Sequence, residues 1–76
     1  MDKMAILEHL AQASEATAAD VASALGVTLA ASGVGLLRLV RAGLASRTLD
    51  LDRGVFYYTL TPKGRARLDY LSSEPR

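Results

Sequence analysis

The sequence predicts a small α+β domain, mostly α-helical, in the order helix, helix, helix, two-stranded β-hairpin, helix. It is read as a single domain over residues 1–76, with residues 72–76 as a frayed tail. Three observations predict this. Apolar residues recur at helical spacing up to about Ala42; two β-type runs, Leu44 to Leu51 and Val55 to Leu60, flank Asp52-Arg53-Gly54; and Thr61-Pro62-Lys63-Gly64 restarts a helix. The stretch from Thr28 to Leu60 organises the rest, because it joins an apolar helix directly to the hairpin across the Gly43-Leu44 break.

Half of the residues are of hydrophobic type, enough for one core without metal or disulfide support. With no cysteine there is no thiol site, and His9, the sole histidine, has no second imidazole with which to build a metal site. No cofactor is expected. The apolar runs are too short to span a bilayer, and Met1-Asp2-Lys3 leads into an amphipathic segment rather than a signal-peptide core, so no membrane partner and a cytoplasmic location are expected. The formal charge of +1 hides an uneven distribution. Residues 1–37 carry Lys3 against Asp2, Glu8, Glu15 and Asp20, whereas the remainder carries eight basic residues against Asp50, Asp52, Asp69 and Glu74. A basic second half suits an anionic polymer, although arginines on a small domain also serve solubility alone.

Asp2 is placed to cap a first helix in which Met4, Ile6, Leu7, Leu10 and Ala11 share one arc, with His9 on the solvated side. After the connector Ala13-Ser14-Glu15-Ala16, Thr17-Ala18-Ala19-Asp20 has the form of a capping box. Val21, Ala24 and Leu25 give that second helix a narrow inner face, and Gly26 ends it. Thr28 caps again, completing helix, tight turn, helix. The third helix is expected from Leu29 to about Ala42, with Leu29, Ser32, Leu36, Leu39 and Val40 facing inward and Gly43 as its stop. Gly33 and Gly35 each cost about 1 kcal/mol relative to alanine in a helix interior, so a helix broken before Leu36, starting late and short, is the alternative.

In the hairpin, Asp52-Arg53-Gly54 reads as a three-residue turn, and Phe56, Tyr58 and Leu60 are placed against the helices. Two aromatics at strand period beside a leucine are more often core than a base-stacking platform. Thr61 and Pro62 start the last helix, with Ala66, Leu68 and Leu71 on its buried side.

The string from Leu36 to Arg47, together with Tyr58-Thr59-Leu60-Thr61-Pro62-Lys63-Gly64, resembles the winged helix-turn-helix transcription regulators of the MarR and PadR type, and the resemblance covers nearly the whole chain. It implies a cytoplasmic, prokaryotic-style regulator that binds double-stranded DNA, with the third helix in the major groove and the hairpin wing on the flanking backbone or in the minor groove. By that resemblance, Thr28, Ala30, Ala31, Val34, Arg38 and Arg41 face DNA from the helix, and Arg47 and Arg53 from the wing. The four arginines suit phosphate, and Thr28 can donate a hydroxyl at a helix N-terminus.

The chain departs from that pattern where bases would be read. Ala30, Ala31, Gly33 and Val34 offer only contacts to methyl groups and backbone. With four arginines and Lys63, binding is expected to be chiefly electrostatic, salt-dependent and weak for one copy. A homodimer through the first and last helices is the matching expectation. The competing reading is a protein-docking module that uses the same small apolar face or the wing. Catalysis is not expected: the serines have no base beyond His9, and Asp50 and Asp52 suit a solvated turn better than acid–base work.

Overall fold

Residues 3–73 are described by the structure, a computed structural model. The arc of the first helix, α1 (Lys3–Ala13), buries Ile6, Leu7 and Leu10, with Met4 and Ala11 packed beside them. The expected Asp2 cap lies outside the described residues. His9 is half-buried rather than fully solvated.

The second helix, α2 (Ala18–Leu25), starts with the expected capping box. Thr17 Oγ1 accepts from the Asp20 amide at 3.1 Å while Asp20 Oδ2 accepts from the Thr17 amide at 3.0 Å. Gly26, at φ 67°, closes the helix. The buried pair is Val21 and Ala22; Ala24, expected inward, is exposed because the inner face centres between Val21 and Ala22 and leaves Ala24 beyond its edge.

The third helix, α3 (Leu29–Arg41), is unbroken, which excludes the late start. It departs from α2 at a bend of 115°, within the range of helix-turn-helix pairs. Ser32, Leu36 and Leu39 are buried and Val40 is half-buried. Leu29 is a correction: it is 60% exposed, because the first helical residue sits ahead of the core and turns toward the hairpin.

Strand β1 (Ala45–Asp50) pairs antiparallel with β2 (Val55–Leu60), from Ala45↔Leu60 to Asp50↔Val55. β1 is shorter than expected at both ends. The Leu44 amide instead closes the preceding turn on the Leu39 carbonyl, and Leu51 joins the loop, which therefore has four residues, Leu51 to Gly54. Phe56 is a second correction: Tyr58 is buried and Leu60 partly so, but Phe56 is 37% exposed, since the distal half of the hairpin projects past the helices. A pairing with no sequence signal adds to the hairpin. Ala16 and Tyr58 exchange backbone hydrogen bonds of 3.0 and 2.8 Å, tying the connector before α2 to β2.

The last helix, α4 (Pro62–Ser73), is capped by Thr61, whose Oγ1 accepts from the Gly64 amide at 3.0 Å. Leu68 is buried and Leu71 half-buried, whereas Ala66 is exposed. α4 includes Ser72 and Ser73; the rest of the expected frayed tail lies outside the described residues. Gly64 is buried where α4 crosses the chain after α3: a Cβ there would overlap the Leu44 carbonyl oxygen and lie 2.8 Å from Leu60 Cδ1. Among the described residues, no single helix is long and apolar enough to cross a membrane.

Candidate nucleic-acid interface

The inner face of α3 is fixed by packing and by one polar bond, and this determines which face is presented outward. Ser32, fully buried, donates from Oγ to the Ala18 carbonyl at 2.7 Å and so locks α3 to α2. Ala30, Ala31, Val34, Arg38 and Arg41 are consequently exposed. Ala30, Ala31, Val34, Gly35 and Arg38 line one shallow hollow, so the structure brings together most of the helix residues expected there. Thr28 is exposed at the N-terminus of α3 and accepts from the Ala31 amide at 3.1 Å. Its hydroxyl keeps a proton for an outside acceptor.

The wing meets this helix at its N-terminal end. Leu29 from α3 and Gly54, Val55 and Phe56 from the hairpin line one apolar hollow together with Thr17, Ala18 and Ala19. The wing loop is held by Asp50, whose Oδ1 accepts from the Asp52 amide at 3.0 Å and from the Arg53 amide at 3.2 Å. Arg53 Nη1 donates to the Tyr57 hydroxyl at 3.0 Å, and its Nε lies 3.9 Å from Asp50 Oδ2. At that distance on an exposed loop the ion pair adds little stability but lowers the positive field at the tip, as does neighbouring Asp52. Arg47 Cζ lies over the Phe56 ring, 4.2 Å from its centroid. Both wing arginines are therefore positioned rather than loose. Their settings depend on cross-strand register, which residue type alone does not reveal.

Lys63 occupies a place that sequence reasoning missed. Its Nζ donates to the Ala42 carbonyl at 3.1 Å, at the C-terminal end of α3, rather than standing free among the basic side chains. The sequence carries no signal for this contact, because the α3 stop at Gly43 and the lysine in the first turn of the next helix lie far apart in sequence and are brought together only by the hairpin between them.

No family model matches the chain, and no curated protein matches it. Solved structures do. The chain is similar to a MarR-family transcription regulator at 32% identity and a TM-score of 0.84, covering 93% of this chain and 48% of that one. It is similar to a mutant MarR from E. coli complexed with operator DNA at 25% identity and a TM-score of 0.82, covering 88% of this chain and 49% of the other. BpsR of Bordetella bronchiseptica, whose DNA binding is regulated by 6-hydroxynicotinic acid, matches at 26% identity and a TM-score of 0.82, over 91% of this chain and 50% of its own. The chain thus spans about half the length of the solved structures it matches, and the shared part is the winged helix-turn-helix.

Proposed function

We propose that this winged helix-turn-helix domain, which resembles those of MarR-type regulators, binds double-stranded DNA in the service of transcriptional regulation. The carrying observation is the outward face of α3, where Ala30, Ala31, Val34, Arg38 and Arg41 stand exposed with the wing tip beside the helix N-terminus. α3 would enter the major groove, about 12 Å wide and able to admit a helix. Arg38 and Arg41 would take phosphates on its walls, Thr28 would donate to a phosphate at the helix N-terminus, and Arg47 and Arg53 would engage backbone beside the wing. Ala30, Ala31 and Val34 supply no hydrogen bond to a base edge, only contact with thymine methyls. Affinity therefore comes mainly from phosphate and discrimination is modest.

Such a footprint is small for one copy, and a homodimer would double it; α1 and α4 are the surfaces proposed for that contact. The test is titration of labelled protein with a mixed-sequence duplex at low salt, read by NMR and followed by a salt series. Amide shifts concentrated from Thr28 to Arg41 and at Arg53, reversed by salt, support the reading. An unperturbed spectrum at low salt counts against DNA and in favour of docking to a protein. Sedimentation at high micromolar concentration with and without duplex tests the dimer, and a monomer under both conditions removes it.

A further inference from the structure

We infer that Lys63 and Thr61 are positioning residues for DNA binding, acting from behind α3 by clamping its C-terminal turn to the start of α4; the inference rests on the DNA-binding reading above. The backbone carbonyls that a helix leaves unpaired at its C-terminal end carry the negative end of its dipole. At the end of α3 these groups are met in succession. The Ala42 amide bonds the Arg38 carbonyl at 3.0 Å, the Gly43 amide the Val40 carbonyl at 3.0 Å, and the Leu44 amide the Leu39 carbonyl at 2.9 Å. Past the helix end, the carbonyls of Ala42, Gly43 and Leu44 are taken by one short segment of chain. Lys63 Nζ donates to Ala42 at 3.1 Å, Thr61 Oγ1 to Gly43 at 2.7 Å, and the Thr61 amide to Leu44 at 3.1 Å.

The geometry is also tight. Gly64 brings the α4 backbone against the Leu44 carbonyl, and the Lys63 side chain crosses Gly43 so that its Cδ and Nζ each lie 3.7 Å from where a Cβ on Gly43 would be. Arg38 and Arg41 stand on the last turn of α3, directly before the clamp. A charged donor on Ala42 therefore holds the turn that aims both arginines, while its own charge is committed to the helix end instead of to phosphate.

The experiment compares wild type with Lys63→Met, Lys63→Arg and Thr61→Val by duplex anisotropy across a salt series, at a temperature where circular dichroism shows each variant fully folded. Lys63→Met keeps the aliphatic stem over Gly43 and removes the charge. It should weaken binding about two- to fivefold at fixed salt, the scale of a cation at a helix C-terminus, with the slope of log K against log salt unchanged. Lys63→Arg should restore most of the affinity, and Thr61→Val should reproduce the loss although it carries no charge change at all. A slope reduced by about one in Lys63→Met would identify a phosphate contact and overturn the inference. Affinity unchanged in both Lys63→Met and Thr61→Val overturns it too. If wild type itself fails to bind duplex at low salt, the DNA-binding reading falls first and takes the inference with it, an outcome distinct from the other two.

Discussion

Ser32 and Ala18 are joined by a 2.7 Å hydrogen bond that runs from the side chain of one helix to the backbone of the next, and Ser32 is fully buried among apolar residues. Replacing it by alanine removes the donor and opens a small void, while the Ala18 carbonyl keeps the bond it accepts within α2. Ser32→Ala should lower stability by about 0.5–1.5 kcal/mol, seen as a lower urea midpoint with an unchanged m-value. An unshifted midpoint would mean that the bond between α2 and α3 is not what sets their angle.

Two glycines separate backbone necessity from helix preference. At Gly64 a side chain meets the Leu44 carbonyl, which belongs to the backbone and cannot swing aside. Gly64→Ala should cost more than about 3 kcal/mol and leave much of the protein unfolded, a result that thermal melting by circular dichroism checks. Gly33, by contrast, has open space where its Cβ would go. Gly33→Ala should stabilise α3 by up to about 1 kcal/mol, and a lower melting temperature would show that α3 is held differently from the arrangement described.

Charge on the outer face of α3 should register in the salt dependence of DNA binding. An Arg38→Gln/Arg41→Gln double variant removes two candidate phosphate contacts from exposed positions and should reduce the magnitude of the salt slope by about 1.8. Stability should stay within about 0.5 kcal/mol of wild type, as for most surface substitutions. Equal slopes for variant and wild type would place the phosphate contacts elsewhere on the molecule.

The capping box gives a prediction independent of DNA. Thr17→Ala removes the oxygen that accepts from the Asp20 amide and should cost about 1 kcal/mol in urea denaturation. The expected loss is confined to stability; native-state hydrogen exchange should show it first in α2, and uniform loosening of every helix would argue against a local cap.

Much of this fold could be read from local chemistry. Thr17 with Asp20, Gly26 as a left-handed stop, Thr28 as a cap and Pro62 after Thr61 each announce an element boundary through bonds made within a few residues. The features that escaped are those set by distant partners. Leu29 looks inward by period, yet the core begins one turn later; Phe56 alternates correctly with Tyr58, yet no helix extends far enough to cover it, and Arg47 does so instead. The Ala16–Tyr58 bridge leaves no trace in pattern or composition, because a backbone pairing places no demand on side-chain type. In the candidate interface, the helix residues are placed by the resemblance to MarR-type regulators, and they stand exposed on α3. The commitment of Lys63 to Ala42 and of Arg53 to Tyr57 was not legible, since both depend on how the hairpin folds back.

The pairing of Ala16 with Tyr58 also bears on how this chain behaves in a crowded solution. A two-stranded hairpin has two open edges, and each is a template onto which another extended chain can add. At its root β2 is already occupied on both sides, by Arg47 of β1 and by Ala16, so the site nearest the hydrophobic core offers no vacancy to a second molecule. What stays open is the outer edge of β1, where Ser46, Arg47, Thr48 and Leu49 are exposed, and the part of β2 nearer the wing tip. The connector between the first two helices thus covers β2 beside the core with backbone of its own, and any strand addition is confined to the exposed part of the wing.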